Sequence, residues 1–194
     1  MRRLMLHTGR RVAVLLPLLF LIGGTSGVFL DADAETSSVM ERRVKTAFLY
    51  KFAGYVEWPA ESFPRPGTPI VVGVAGDKRM AAELSQLVLG RTSGGRRILV
   101  VQPDLKAPLR DLHILFVASG ESRRLRQWVE ALQGAHTLVV TESENALDQG
   151  SMINFVLSEG HVRFEIATSP AEKCGLQLSS GLLGVAKSVV SPRP

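Results

Sequence analysis

The chain has 194 residues, 45% of them hydrophobic and 21% charged, with a formal net charge of +5 at pH 7 and a single cysteine. That length supplies one domain with its own core, and one cysteine excludes an intrachain disulfide framework. The arginines lie among acidic residues, with no basic block carrying interleaved aromatics, so no nucleic acid is expected as a partner.

In chain order, "MRRLMLHTGRR" reads as a basic n-region with Arg2, Arg3, Arg10 and Arg11, and "VAVLLPLLFLI" as an apolar h-region. "DADA" places Ala32 and Ala34 at A-x-A spacing. Residues 1–34 are therefore expected to be a signal peptide and 35–194 the exported domain, with a net charge of +3 and no direct membrane insertion after cleavage. The alternative is an uncleaved anchor, since residues 12–30 carry no charge; Pro17, Gly23, Gly24 and Gly27 weaken that reading.

Residues 39–57 predict the opening helix. Val44, Ala47, Phe48, Leu49, Phe52, Ala53, Tyr55 and Val56 cover about two thirds of its circumference, where a surface helix shows a stripe somewhat over ~100° wide. Either two layers of the domain bury this arc or a partner takes its second side. Lys45 and Lys51 lie inside the arc, where their stems can cover apolar surface. Pro59 ends the helix by restricting Trp58, and "PAESFPRPGTP", with four prolines in eleven residues, predicts a stiff loop.

Strands and helices then alternate. "IVVGVAG" predicts a buried strand, and "DKRMAAELSQLVL" a helix capped by Asp77 with Met80, Leu84, Leu87 and Val88 inward. "GRTSGGRR" is a turn-rich link whose arginines suit a solvated loop or an anion. "ILVV" and "HILFVA" predict further strands, residues 121–133 a helix burying Leu125, Trp128, Val129 and Leu132, and "AHTLVV" the next strand. The expected fold class is α/β: a single domain, a largely parallel sheet with helices on both faces, Rossmann-like.

At Gly150 the period changes to two. "SMINFVLSEGHVRFEIA" predicts an antiparallel hairpin turning at Glu159 and Gly160, pairing Leu157 with Val162, Phe155 with Phe164 and Ile153 with Ile166 on one face, and Asn154 with Glu165 and Val156 with Arg163 on the other. Cys174 before Gly175 predicts the last turn of a short helix and a buried, inert thiol, with an intermolecular disulfide as the alternative. A final helix is expected from Ser179 or Ser180, burying Leu182, Leu183 and Val185 or Ala186, with "SPRP" as a frayed end.

No catalytic constellation emerges, and no cofactor or metal is called for. "GVAG" lacks the spacing of a dinucleotide turn, the histidines at 113, 136 and 161 have no ligand spacing, and Ser119 is not in a nucleophile motif. Gly76, Asp77 and Ser119 nonetheless mark the crevice where an open α/β sheet would take a small ligand.

"VKTAFLYKFAGYVEWP", "HILFVAS", "GSMINFVLSEGHVRFEIA" and "CGLQLSSGLLGVAKSV" occur in the order seen in the YfiR family, and the chain resembles that family over nearly all of residues 35–194. The resemblance implies a periplasmic α/β domain without enzymatic activity, often a homodimer, that represses a membrane-bound diguanylate cyclase by binding its periplasmic domain. Lys45, Leu49, Tyr50, Lys51, Val56 and Trp58 on the opening helix are the expected partner-binding residues. Members of this type carry paired cysteines, and Leu112 stands here where one of them precedes the histidine; Gly181 stands where a basic residue is frequent. The alternative function is a periplasmic small-molecule binding module, using Gly76, Asp77 and Ser119, that serves another membrane receptor such as a histidine kinase.

Overall fold

The structure, a computed structural model, describes residues 28–191. The expected export signal lies outside the described residues up to residue 27. Helix α1 (Val28–Tyr55) leads into strand β1 (Val56–Glu57), then β2 (Ile70–Ala75), α2 (Lys78–Val88), β3 (Thr92–Ser93), β4 (Arg96–Val101) and β5 (Ile114–Val117). A 3-10 turn (Ser119–Arg124) precedes α3 (Leu125–Ala131) and β6 (Leu138–Thr141). The hairpin β7 (Ile153–Ser158) and β8 (His161–Ala167) follows, then α4 (Thr168–Lys173), β9 (Gln177–Leu178), α5 (Ser180–Val185) and β10 (Ser188–Val190).

The main sheet has eight strands in the order β10-β8-β7-β6-β5-β2-β4-β3, and β1 pairs with β9 in a separate two-stranded sheet. From β4 through β2, β5 and β6 to β7 the pairing is parallel. It is antiparallel between β7 and β8 and between β3 and β4. On one face of the sheet α1, α2 and α5 cover Val72, Ile114, Phe116, Val140, Ile153 and Ile166. On the other, α3 and the segment around Leu109 and Leu112 cover Leu115, Val117 and Val139. The α/β class, the largely parallel sheet and the covering of both faces are as the alternation of buried strands and amphipathic helices requires.

The hairpin has the expected register, with Ile153 opposite Ile166, Phe155 opposite Phe164 and Leu157 opposite Val162. Glu159 and Gly160 have φ of 53° and 73°, the left-handed pair of a two-residue turn whose twist matches its strands. Asp77 caps α2 by accepting the Met80 N–H at 2.9 Å. Ser179 does the same for α5 from Leu182.

Four expectations are corrected. The opening helix stops at Tyr55, because Val56 and Glu57 pair with Leu178 and Gln177 and the Tyr55 carbonyl accepts the Ser179 N–H; the strand supplies partners a continued helix could not find before Pro59. It is already helical at Val28, the first described residue, rather than beginning at residue 39. The helix expected from Glu121 begins instead as the tighter 3-10 turn, a common start to a helix. That turn packs so closely on Gly76 (φ 85°) that a Cβ there would come within 2.8 Å of Glu121 Cγ. Before the expected frayed end, whose residues 192–194 lie outside the described ones, Ser188–Val190 adds a parallel strand beside β8 that was not expected, with Lys187 N–H donating to the Phe164 carbonyl; of the two alternatives at the end of the last helix, Ala186 packs on the core and Val185 is exposed.

Candidate functional site

The wide apolar arc of α1 is explained mainly by its neighbours. Leu49 (0% exposed) and Phe52 face the sheet, where the Phe52 ring lies 5.4 Å from Phe164 and 5.8 Å from Phe155, and Phe48 lies 5.3 Å from Phe164. One flank is tied to α2, with Arg42 Nε 2.8 Å from Glu83. The other flank runs past α5 and β8.

Of the residues expected to meet a partner, Lys45, Leu49 and Val56 are interior. Lys45 is only 7% exposed, and its ammonium lies between Glu41 and Glu142, 2.7 Å from the latter. Burial opposes its charge, but the hydrogen bonds and charges of Glu142 and Glu41 outweigh burial and raise its pKa. Tyr50 is half-buried beneath the Arg91 guanidinium, 5.6 Å from the ring centroid. Trp58 donates from Nε1 to the His113 carbonyl at 3.2 Å. Lys51 stays at the surface.

Lys51 borders an apolar groove of about 310 Å3 between α1, β8 and α5. Phe48, Phe52, Tyr55, Val162, Phe164, Leu182 and Val185 line it, with Arg163 as a second cation. Tyr55 is 43% and Val185 59% exposed. A Cβ at position 181 would lie 3.7 Å from Tyr55 Cε1, so Gly181 leaves that edge of the ring uncovered. Tyr55 was legible as part of the arc; Arg163 and Val185 were not, because only the tertiary fold brings 163 and 185 to α1.

The crevice expected at Gly76, Asp77 and Ser119 is occupied by the chain itself. Glu121 fills the space above Gly76, Asp77 is spent on its cap, and the Ser119 N–H donates to Glu142 Oε1 at 2.8 Å. Glu142 sits where an anion would bind, with Lys45 as its counterion. Ser119 does not cap a helix through its hydroxyl: Ala118 holds the N-cap position, without a side-chain bond.

At the opposite end of the strands lies a larger cleft of about 1020 Å3, between residues 61–69, 110–113 and 131–136. Its wall is the proline-rich loop, strapped to the body by two residues. Arg96 lies 3.8 Å over the Phe63 ring and donates to the Thr68 carbonyl at 2.9 Å. His113 stacks on Phe63 with centroids 4.7 Å apart and contacts the Trp58 edge. His136 donates from Nδ1 to the Cys174 carbonyl at 2.7 Å, and its Nε2 is 3.6 Å from Glu61. Cys174 closes α4, with Gly175 at φ 72°; it is partly rather than fully buried, and burial raises its thiol pKa. Among the described residues no group of three or more His, Cys, Asp and Glu could hold a metal ion, and no described helix is long and apolar enough to cross a membrane.

These features define an α/β domain with an apolar groove beside its opening helix and a wider cleft at the opposite end of its strands. The YfiR/HmsC-like family model matches residues 42–187, and the chain belongs to that family. No curated protein matches the chain. Among solved structures it is similar to a conserved domain protein from Vibrio cholerae O1 biovar El Tor strain N16961, at 11% identity and a TM-score of 0.50, over 67% of this chain and 57% of that one. An ABC domain in complex with L-Trp from Streptococcus pneumonia aligns at 10% identity and a TM-score of 0.44, over 62% of this chain and 55% of that one. The chain thus spans less than two thirds of both solved chains, and the first likeness speaks to the fold alone.

Proposed function

We propose that the chain is exported, loses residues 1–34, and represses an inner-membrane diguanylate cyclase by binding the cyclase's periplasmic domain, as a homodimer. The observation that carries this reading is the groove between α1, β8 and α5: apolar walls left open beside the opening helix, with Lys51 and Arg163 at the rim. Such a groove takes an apolar segment with an acidic border, by burial for affinity and charge for register. Lys45, Leu49 and Val56 then act from within, by fixing α1, while Lys51 and Tyr55 make contact.

Deleting the gene tests the reading. Cyclic di-GMP and surface attachment should rise, and restoring the chain without residues 1–34 should leave them high. Unaltered cyclic di-GMP in the deletion strain would sink the repressor reading. Mass spectrometry of the periplasmic fraction should find a mature chain beginning near Glu35; a membrane-bound form with Met1 intact would restore the anchor.

A further inference from the structure

Of the buried titratable groups, His113 has the most to lose from a proton. It is 4% exposed, and both ring nitrogens are engaged. Nδ1 accepts the Val71 N–H at 3.2 Å, so in the neutral ring Nε2 carries the proton and donates it to the Ser62 carbonyl, also at 3.2 Å. One imidazole therefore joins strand β2 to the short 3-10 turn at Ala60–Ser62, and its face carries Phe63. A second proton can only go on Nδ1. It would point at the Val71 N–H, setting donor against donor and leaving a buried charge without a carboxylate bonded to it.

The charged groups around the ring do not offset this. From β4, Arg96 repels the imidazolium; from the segment before β5, Asp111 attracts it through its charge and its backbone carbonyl, but its carboxylate accepts no hydrogen bond from the ring. Trp58 and Phe63 offer ring edge and face, and the other titratable residues lining the cleft here are Glu61, Arg65, Arg110 and His136. Burial above all, with Arg96 second among the opposing influences, holds the His113 pKa below the ordinary imidazole value, against the backbone bonds of Ser62 and Asp111 and the Asp111 charge.

We propose that His113 is an acid-released latch on the proline-rich strap of residues 59–69, and that its protonation frees the strap from β2 and opens the cleft behind it. Arg96 holds the Thr68 end of the strap and His113 the Ser62 end, so release at His113 loosens the Ala60–Ser62 end, where Glu61 stands 3.6 Å from His136 Nε2, while Thr68 stays fixed. The inference does not depend on the docking groove.

The test is amide hydrogen exchange at single-residue resolution alongside an NMR titration of the His113 ring, on the wild-type protein and on His113→Gln. A glutamine can accept from Val71 and donate to Ser62 but cannot take a proton. As the wild type passes from about pH 7 to about pH 5, protection at the Val71 amide should fall at least about tenfold, following the His113 titration, while Val74 in the same strand keeps its protection. In His113→Gln the fall should vanish. Loss at Val71 only together with Val74 would mean global unfolding and overturn the latch. So would an equal loss in the variant, an unchanged Val71 while His113 titrates, or a His113 that stays neutral to the lowest pH the fold survives. Should the variant not fold, the wild-type comparison of Val71 with Val74 still decides.

Discussion

Along α1, the turn carrying Arg42 and Lys45 is fixed by ion pairs to Glu83 and Glu142, whereas the turns carrying Leu49, Phe52 and Tyr55 are fixed by aromatic and aliphatic packing. The charged turn is closed around its two inward cations: Arg42 meets Glu83, Lys45 lies between Glu41 and Glu142, and Glu142 accepts the Ser119 N–H with its second oxygen. The packed turns are closed on the sheet side only, and their flank opens into the groove. Ion pairing demands a particular partner at each position, so it positions the helix; apolar packing accepts any shape that fills space, so it leaves room for a second molecule.

The difference can be broken most forcefully at Lys45. Replacing it by alanine strands Glu142 in a site where its side chain is 14% exposed, and should cost about 3 kcal/mol in urea unfolding. Lys45→Met with Glu142→Leu should regain most of that loss, since no unpaired charge remains. Leu49→Ala, at the packed end, should cost a similar ~3 kcal/mol through the cavity it leaves; a loss under about 0.5 kcal/mol would show the turn to be a surface after all.

Acidity distinguishes a neutral anchor from an ionic one. With its pKa lowered in the folded state, His113 takes up protons more readily when unfolded, so its contribution is complete at neutral pH. It is lost as pH falls below the unfolded value of about 6.5, at no more than about 1.4 kcal/mol per pH unit. Lys45, whose pKa is raised, keeps its contribution throughout that range and loses it only in strong alkali, as pH climbs past its ordinary value. Urea midpoints of wild type and His113→Gln across mild acid should therefore diverge, and those of wild type and Lys45→Met with Glu142→Leu should run parallel.

Cys174→Ser, at the half-buried end of α4, should cost about 1 kcal/mol and leave repression intact. A thiol-sensitive dimer lost with the cysteine would contradict it. The smallest stability effects belong to the groove: Lys51→Glu and Tyr55→Glu should change unfolding by no more than about 0.5 kcal/mol. Both should nonetheless weaken binding to the purified periplasmic domain of the cyclase about tenfold or more, as rim charges and central aromatics do. Unchanged affinity in both would move the partner off this face.

Local pattern made much of this fold legible. The hairpin register could be written from alternation because both strands put the same parity toward the core, and Asp77 and Ser179 announced their helices through the short polar side chain each offers to a free N–H. The two-residue strands β1 and β9 and the terminal β10 are too short to show a period, and their pairing is decided by tertiary contact. The same holds for single side chains. Lys45 in an apolar arc reads as a surface lysine lying along its stem, and its partner Glu142 stands 97 positions away. His113 was legible as a histidine without ligand spacing, but not as the residue that joins the loop to β2.

The contact between Phe52 and Phe164 sets an order of events during synthesis. A chain made from its N-terminus completes α1 long before β8 and α5 exist, so although α2 is soon there to pack on one flank, the face that carries Phe52 waits for the last fifth of the sequence. Pairings so distant in sequence form slowly and leave sticky intermediates. Until that last fifth arrives, the nascent domain has reason to be held by a chaperone, and truncation before Phe164 should yield aggregates rather than a smaller folded protein.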